Sequence, residues 1–240
     1  MINCKLNLIT FMNKALVVVL FLFSYSTLTY GQYNRRADKI GVGVGPSFMY
    51  GDNTGIHREL KFKVMPVASV DYTTSISNFF DIKATLGWQM INSGDFYTEN
   101  LIEGIAAAGY PHAFKGSLLF ADITPYYIFN PDRRGFVPSS FKFYTGLGVG
   151  VFHSMRTDEK RLYEGDNYID LEYSDTNTNV YLPLRIGGFI RIPDTYSDLG
   201  IETSLMISPF GSMEGNNKQQ KTTKADMAVQ LQVYYRMHLW

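Results

Sequence analysis

The segment Phe80–Met90 alternates strictly between apolar residues and polar or small residues. Every second position from Phe80 through Leu86 to Met90 is apolar, and the positions between them are Asp, Lys, Thr, Gly and Gln. A period of two is the pattern of a β-strand whose two faces meet different surroundings. A tilted strand of roughly 9–11 residues with one apolar face is long enough to cross a bilayer. The pattern therefore predicts a membrane-crossing strand, provided that other segments repeat it.

Seven further segments repeat this alternation, and the connections between successive segments are alternately longer and shorter. Short turns at one end and longer loops at the other are typical of membrane barrels, and an even strand number leaves no free edge in lipid. The sequence predicts an all-β fold, an eight-stranded antiparallel transmembrane β-barrel, with a polar loop over residues 155–178 and a short helical turn over Leu101–Ala108. The predicted strands are Ile40–Tyr50, Lys61–Tyr72, Phe80–Met90, Leu118–Phe129, Phe141–His153, Val180–Ile192, Leu199–Phe210 and Ala225–Trp240.

The apolar faces are predicted to point outward into lipid. Eight strands enclose an interior that side chains just fill, so several large apolar residues per strand would not fit inside. A soluble two-sheet sandwich, which accepts a large apolar core, is the alternative. Aromatic residues favour the barrel because they cluster at both strand ends, as interfacial girdles do. Those at the turn side are Tyr72, Phe80, Tyr127, Phe129, Phe141, Phe143 and Tyr235, and those at the loop side are Phe48, Tyr50, Phe62 and Trp88.

The first 31 residues have the pattern of a secretory signal peptide. Lys14 precedes a short apolar run over residues 15–23, and Thr29-Tyr30-Gly31 places small residues at the cleavage positions. We therefore expect a signal peptide over 1–31 and an exported barrel domain over 32–240, located in the outer membrane; a single membrane anchor is the alternative. Cys4, the only cysteine, lies in the signal, so no disulfide is expected. The balanced net charge argues against nucleic-acid binding.

The whole exported chain resembles the small eight-stranded outer-membrane barrels of the OmpA/OmpX type. Two glycine-rich strand segments carry a more particular resemblance, Gly41–Asp52 and Tyr144–His153. Both resemble the small barrel component of the type IX protein secretion system. That family implies a barrel that tethers a periplasmic ring to the outer membrane.

Candidate chemistry is sparse in this sequence. His153 and Ser154 are similar to the His/Ser pair of outer-membrane lipid A deacylases, but adjacent strand residues point to opposite faces. The other histidines lack metal-ligand spacing, and the acidic segment 158–175 lacks the EF-hand pattern. We therefore predict no enzyme activity, no cofactor, and no catalytic or metal residue. A small lipid-modifying enzyme remains an alternative.

The inward faces carry ionisable residues that either pair in a packed lumen or line a narrow ion path. Arg185 and Glu202 lie on neighbouring predicted strands and form the candidate lumen ion pair. Eight strands leave little bore, which favours the packed lumen. The predicted inward set is Lys61, Lys63, Asp71, Asp81, Lys83, Asp122, Lys142, Arg185, Arg191, Glu202, Asp226 and Arg236.

The predicted function is a structural or docking component of a cell-envelope complex, with protein secretion as the role that the resemblance implies. The turn over residues 130–138 exposes Arg133 and Arg134 beside Phe136, a composition that interfaces favour. These three residues are the candidate docking turn for a periplasmic protein partner; a solvated turn that dips Phe136 into the membrane interface is the alternative. The expected assembly is a monomeric barrel, surrounded by outer-membrane lipid, within a larger complex. A narrow channel and an adhesive surface barrel are further alternatives.

Overall fold

A computed structural model describes residues 37–51, 54–131, 140–164, 167–193, 195–210, 213–214 and 225–239. The predicted signal peptide and the predicted docking turn with Arg133, Arg134 and Phe136 lie outside these residues. Within the described ranges, no helix combines the length and the apolar composition needed to cross a membrane.

Nine strand segments, one α-helix and one turn of 3-10 helix make up the described chain. The strands are β1 (Lys39–Tyr50), β2 (Met65–Ser75), β3 (Phe80–Asn92), β4 (Ala113–Ile128), β5 (Phe141–Leu147), β6 (Val149–Glu164), β7 (Asn167–Arg191), β8 (Ser197–Ser208) and β9 (Asp226–His238). The helices are α1 (Glu99–Ala107), where a helical turn was predicted, and the 3-10 turn His57–Glu59.

The strands close into an antiparallel ring of eight, because β5 and β6 are two halves of one strand. Both pair with β4 on one side and β7 on the other, and the break between them is Gly148. The backbones come so close there that a Cβ on Gly148 would lie 2.4 Å from the carbonyl oxygen of Ile123. The ring closes where β1 pairs with β9 and β3 pairs with β4. The predicted eight-stranded antiparallel barrel is confirmed.

The barrel has an apolar exterior and a polar, charged interior. Leu86 on the outer face of β3 is 65% exposed, whereas Lys83, on the inner face of the same strand, is fully buried. Water-soluble proteins bury apolar side chains and leave charges exposed, so this inverted pattern requires lipid around the barrel. The soluble sandwich is therefore wrong. Aromatic residues crowd the end of the barrel with the short turns, where the rings of Phe80 and Tyr127 lie 5.3 Å apart.

The largest departure from the sequence prediction is the hairpin of β6 and β7. Residues 155–178, expected as a polar loop, belong to the continuous ladder of β6 and β7, which runs from the pair Gly150–Tyr181 to the pair Glu164–Asn167. On the other side of β6, β4 pairs as far as Ala113 with Glu159. Oppositely charged residues face each other across the ladder of β6 and β7, including Arg156 with Asp175, and such pairs stabilise antiparallel ladders. The hairpin extends about ten residues beyond His153, or roughly 30 Å at 3.3 Å per residue.

Candidate functional site

The centre of the lumen is organised around the carboxylate of Glu202 on β8. Its Oε1 accepts hydrogen bonds from Lys83 Nζ at 3.0 Å and from Arg185 Nη1 at 2.7 Å. Its Oε2 accepts hydrogen bonds from the hydroxyls of Tyr126 at 2.8 Å and Tyr144 at 2.7 Å. The structure thus brings together Arg185 and Glu202, the ion pair that the sequence predicts, and adds partners from β3, β4 and β5.

Two further carboxylates complete the network. Asp122 on β4 accepts from Arg185 Nη2 at 2.5 Å and from the hydroxyl of Tyr181 at 2.6 Å. Asp71 on β2 lies 3.8 Å from Lys83 Nζ and 3.4 Å from Arg236 Nε. Three cationic side chains therefore face three carboxylates within one buried cluster. This balance offsets the large cost of moving isolated charges out of water.

Glycine and aromatic residues opposite one another fill much of the remaining lumen. Tyr181 lies directly opposite Gly150 in the ladder, and a Cβ on Gly150 would lie 2.6 Å from its ring. Because glycine has no side chain, the ring of its cross-strand neighbour can lie flat over it. The other inward pairs of this kind are Gly43 with Tyr234, Gly87 with Phe120, Gly146 with Tyr126 and Gly187 with Tyr144.

Three residues of the predicted inward set do not lie in the lumen. Lys61 and Lys63 precede β2, which begins only at Met65, and both are exposed. Arg191 ends β7 at the rim, and its side chain is 60% exposed. The prediction was wrong at Lys61 and Lys63 because the alternation continues before β2 begins. Arg191 is at the last pair of its ladder and contacts the inward carboxylate of Asp198 from the rim. The members that the structure does bury are Asp71, Asp81, Lys83, Asp122, Lys142, Arg185, Glu202, Asp226 and Arg236.

Sequence reasoning missed two buried charged groups at the two ends of the lumen. Lys39 Nζ lies 2.9 Å from Asp198 at the end with the short turns. Arg156 Nε lies 3.1 Å from Asp158 at the end with the long connections. Extending the alternation of β1 by one residue would have revealed Lys39, whereas Arg156 and Asp158 lay in the predicted loop.

His153 and Ser154 lie on opposite faces of β6. His153 Nδ1 lies 2.7 Å from the hydroxyl of Thr178 on the outer face, whereas the hydroxyl of Ser154 donates to the carbonyl of Met213 inside. A direct proton transfer between the two side chains is therefore not possible in this arrangement. Across the described residues, no group of three or more His, Cys, Asp or Glu side chains is arranged to hold a metal ion.

The hairpin beyond the lipid-facing belt, residues 155–164 and 167–179, is called the protruding sheet below. Arg161 donates two hydrogen bonds to Asp170, at 2.8 and 3.0 Å, contacts Glu99 of α1, and stacks over the ring of Tyr168 at 3.9 Å. The hydrogen bonds from Arg161 hold the pKa of Asp170 below its ordinary value. The contact with Glu99 joins the helix to the sheet near its tip.

Among the residues that the structure describes, one edge of the protruding sheet pairs with no strand and one face is exposed. Pairing between β7 and β8 begins only at Leu182, so among the described residues no strand pairs with the β8-side edge of residues 167–179. Leu162 lies directly opposite Ile169 on one face, and Leu171 and Tyr173 follow on the same face. All four side chains are between 41% and 48% exposed. The protruding sheet therefore exposes the backbone of one edge strand and apolar side chains on one of its faces.

No protein-family model and no curated relative matches this sequence. Among solved structures, Neisserial surface protein A (NspA) matches with a TM-score of 0.52 at 11% identity, over 86% of this chain and 100% of that chain. The attachment invasion locus protein Ail of Yersinia pestis matches with a TM-score of 0.43 at 11% identity, over 84% and 99% of the two chains. A major outer membrane protein from Thermus thermophilus matches with a TM-score of 0.45 at 13% identity, over 84% of this chain and 100% of that chain. Together with the closed ring of eight strands, the match to NspA shows that this chain has the fold of the small outer-membrane β-barrels.

Proposed function

We propose that this chain is an integral outer-membrane barrel that holds a partner molecule in the cell envelope. The observation that carries the proposal is the protruding sheet, which extends well beyond the lipid-facing belt and whose edge on the β8 side pairs with no strand in the described parts of the chain. Barrels of this kind place their short turns in the periplasm. In that orientation the protruding sheet lies outside the cell.

The filled lumen favours docking over conduction. Lys83, Arg185 and Glu202 are all buried and hydrogen-bonded to one another in the middle of the barrel. Opening a water-filled path would separate charges that now compensate each other. Docking on the outer surfaces requires no such rearrangement.

A free strand edge recognises an extended segment by strand addition, in which main-chain hydrogen bonds supply affinity and alternate side chains supply specificity. Residues 155–179 contain seven acidic and three basic residues. The net negative charge of this sheet, together with the apolar side chains Leu162, Ile169 and Leu171, fits an extended segment that alternates basic and apolar residues. The partner class that we propose is therefore a protein with such a segment.

The test is a barrel with a shortened protruding sheet. Replacing residues 160–171 with Asn-Gly joins the facing residues Glu159 and Glu172 through a two-residue hairpin turn and leaves the membrane ring intact. We expect crosslinked pull-downs from intact cells to lose the partner, while heat-modifiable migration on gels shows that the barrel still folds. Replacing Leu162, Ile169 and Leu171 with Ser, as a matched control, keeps the edge and removes only the apolar face. Recovery of the same partners with all three proteins would refute docking at this sheet.

A second proposal concerns the opposite end of the barrel. The resemblance to the type IX secretion barrel and the composition of the turn support a periplasmic docking role for Arg133, Arg134 and Phe136. Replacing these three residues with Ser should release a co-purifying periplasmic partner while the barrel remains folded. If crosslinked cells yield the same periplasmic partners with and without the three side chains, this turn is not a docking site.

A further inference from the structure

We infer that the connection between β1 and β2 lies in the membrane interface at the loop end and binds lipid phosphates through Lys61 and Lys63. Residues 54–64 of this connection are called the basic loop below. The inference is independent of the docking proposals, which concern the protruding sheet and the periplasmic turn. It follows from the contacts of the loop with the outside of the barrel wall and from the charges that the loop carries.

Strand β1 crosses the whole lipid-facing belt. Ile40 pairs with Tyr72 of the aromatic band at the turn end, and Tyr50 is the last outward residue of β1 at the other end. At 3.3 Å per residue this interval is roughly 33 Å long, and a tilt of about 40° reduces it to about 25 Å of height. The apolar bands of outer-membrane barrels have about that height. Tyr50 therefore lies where the hydrocarbon ends and the headgroup region begins.

The basic loop folds back over the outside of the wall. The ring of His57 lies 4.5 Å from the ring of Tyr50, and the ring of Phe62 lies 4.6 Å from the ring of Phe48. Phe48 and Tyr50 are outward residues of β1, since Met49 between them is buried inside the barrel. Phe62 is therefore on the lipid side of the wall, beside a residue that lies within the belt.

Backbone and side-chain contacts fix the basic loop in this position. The N–H of Ile56 donates to the carbonyl of Lys61 at 2.8 Å, and the N–H of Lys61 donates to the carbonyl of Ile56 at 3.1 Å. This approach requires Gly55, whose φ is +113° and whose Cβ, if present, would lie 2.2 Å from the carbonyl oxygen of Lys61. His57 Nε2 lies 2.9 Å from the hydroxyl of Thr54. The loop is thus a closed unit that holds its rings against the wall.

The surface of the basic loop away from the wall carries apolar side chains. Leu60 is 79% exposed and Val64 is 56% exposed, on either side of the half-buried Phe62. Apolar side chains beside cations are typical of segments that lie in the plane of a membrane interface. Lipid around the loop would cover these side chains, which water would otherwise contact.

The charges of the basic loop match the phosphates of a lipid surface. Residues 58–63 contain three basic residues and one acidic residue, whereas residues 155–179 of the protruding sheet contain seven acidic and three basic residues. Lys61 and Lys63 flank Phe62 and are exposed. Glu59 lies 2.6 Å from Lys61, but both side chains are 54% exposed, and a surface pair of this kind contributes little. Long lysine side chains at the membrane boundary reach the headgroup level, where they attract anionic lipids.

The first experiment measures the depth of a nitroxide label at residue 60 in lipid bilayers. The labelled barrel carries Leu60→Cys together with Cys4→Ser, which removes the only other thiol. The matched control is Leu162→Cys on the protruding sheet, a second exposed leucine. We expect the label at residue 60 to collide more often with oxygen than with a water-soluble nickel chelate, and the control label to show the reverse. Equal access of the chelate to both labels would overturn the interfacial placement.

The second experiment adds phosphatidylglycerol and phosphatidylcholine to the purified barrel in neutral micelles and measures bound lipid by native mass spectrometry. We expect more phosphatidylglycerol than phosphatidylcholine. Lys61→Gln combined with Lys63→Gln should reduce that preference by roughly fivefold for each lysine. Lys115→Gln is the matched control, because Lys115 is exposed at the same end but already donates hydrogen bonds to Glu159 and Glu172. The control should keep the preference.

Phe62→Ser distinguishes a bound lipid from a free anion, with heat-modifiable migration as the check that each variant folds. It should weaken the retention of both lipids, and inorganic phosphate at matched ionic strength should leave phosphatidylglycerol bound. Displacement by inorganic phosphate with no effect of Phe62→Ser would show a free-anion site and overturn the inference. Equal retention of the two lipids by the unaltered barrel, or equal loss of preference in the control, would overturn it as well.

Discussion

At the scale of single residues, Glu202 is the side chain on which most of the lumen network depends. It accepts hydrogen bonds from Lys83, Arg185 and the tyrosines around it, and it is 1% exposed. A buried ion pair adds little over a well-packed apolar pair, but removing one partner leaves uncompensated charges. Removing the Glu202 side chain should therefore lower the free energy of unfolding by more than the loss of its own hydrogen bonds would.

Glu202→Ala should lower the free energy of unfolding by about 3–5 kcal/mol, because Lys83, Arg185 and Arg236 would keep their charges in a dry interior. Chemical unfolding in micelles measures the change. The exposed ion pair of Lys115 is the control, and Lys115→Ala should change stability little. A Glu202→Ala barrel as stable as the unaltered one would mean that the network is not needed for stability.

Two exposed leucines should respond differently to the same substitution. Leu86 lies in the lipid-facing belt and Leu162 lies on the protruding sheet, and their exposures are 65% and 41%. Leu86→Arg should cost roughly 2–4 kcal/mol if Leu86 lies near the bilayer midplane, whereas Leu162→Arg adds a charge where water is present and should cost little. Unfolding in lipid vesicles compares the two. Equal costs would contradict the assignment of β3 to the membrane and of the hairpin tip to water.

At the scale of elements, cross-strand charge pairs link the two strands of the protruding sheet. Arg161 and Asp170 face each other directly, as do Arg156 and Asp175. Such pairs stabilise an antiparallel ladder through contacts between side chains on neighbouring strands. Their contribution depends on the charge of the carboxylates, so the stability of this element should depend on pH.

The protruding sheet should open as the pH falls through the acid range. The pKa of Asp170 is lower in the folded chain than in the unfolded one, so its stabilisation is complete above the unfolded value of about 3.9 and is lost as the pH falls below it. Burial raises the pKa of Asp158, so that carboxyl acts in the opposite direction. Hydrogen exchange of the amides around Arg161 and Asp170 between pH 7 and pH 3 measures the opening. Asp170→Asn should remove the pH dependence at these amides, and an unchanged profile in that variant would assign the effect to other groups.

At the scale of the whole molecule, closure of the ring puts every inward side chain into one shared interior. Lys83 on β3 and Glu202 on β8 are 119 residues apart in the chain and meet across the lumen. A barrel of eight strands is narrow enough for such contacts. The result is a plugged interior whose charges compensate one another.

Planar-bilayer recordings of the reconstituted barrel should therefore show no steady, large conductance. The lumen is filled by Arg185, Glu202 and the rings of Tyr126 and Tyr144, and opening a path would expose these groups. Recordings from a lipid bilayer without protein and from an open porin serve as references. Steady ion flow through the unaltered barrel would contradict the packed lumen and favour a channel.

The alternation of the strands was predictable from the sequence because it is a local property. Phe80–Met90 shows its two faces without reference to any other segment, and the same holds for the other strands of the ring. Arg185 and Glu202 could be paired because they lie on neighbouring strands. Strand ends were harder to place, since Lys61 and Lys63 continue the pattern before β2 begins, and Arg191 is already at the exposed rim where its ladder ends.

By itself, the sequence determined the number of strands and the two unlike faces of each, because period and polarity depend only on neighbouring residues. Closure of the ring with the apolar faces outside then excluded the soluble sandwich and established the need for lipid. The tertiary structure alone decided which charges meet across the lumen, since Lys83 reaches Glu202 only when the ring closes. It also decided that the acidic segment continues as a hairpin, because that depends on its pairing with distant segments, including β4 along residues 155–159. Local pattern specifies a strand, whereas pairing in space specifies how far the strand extends and what its side chains contact.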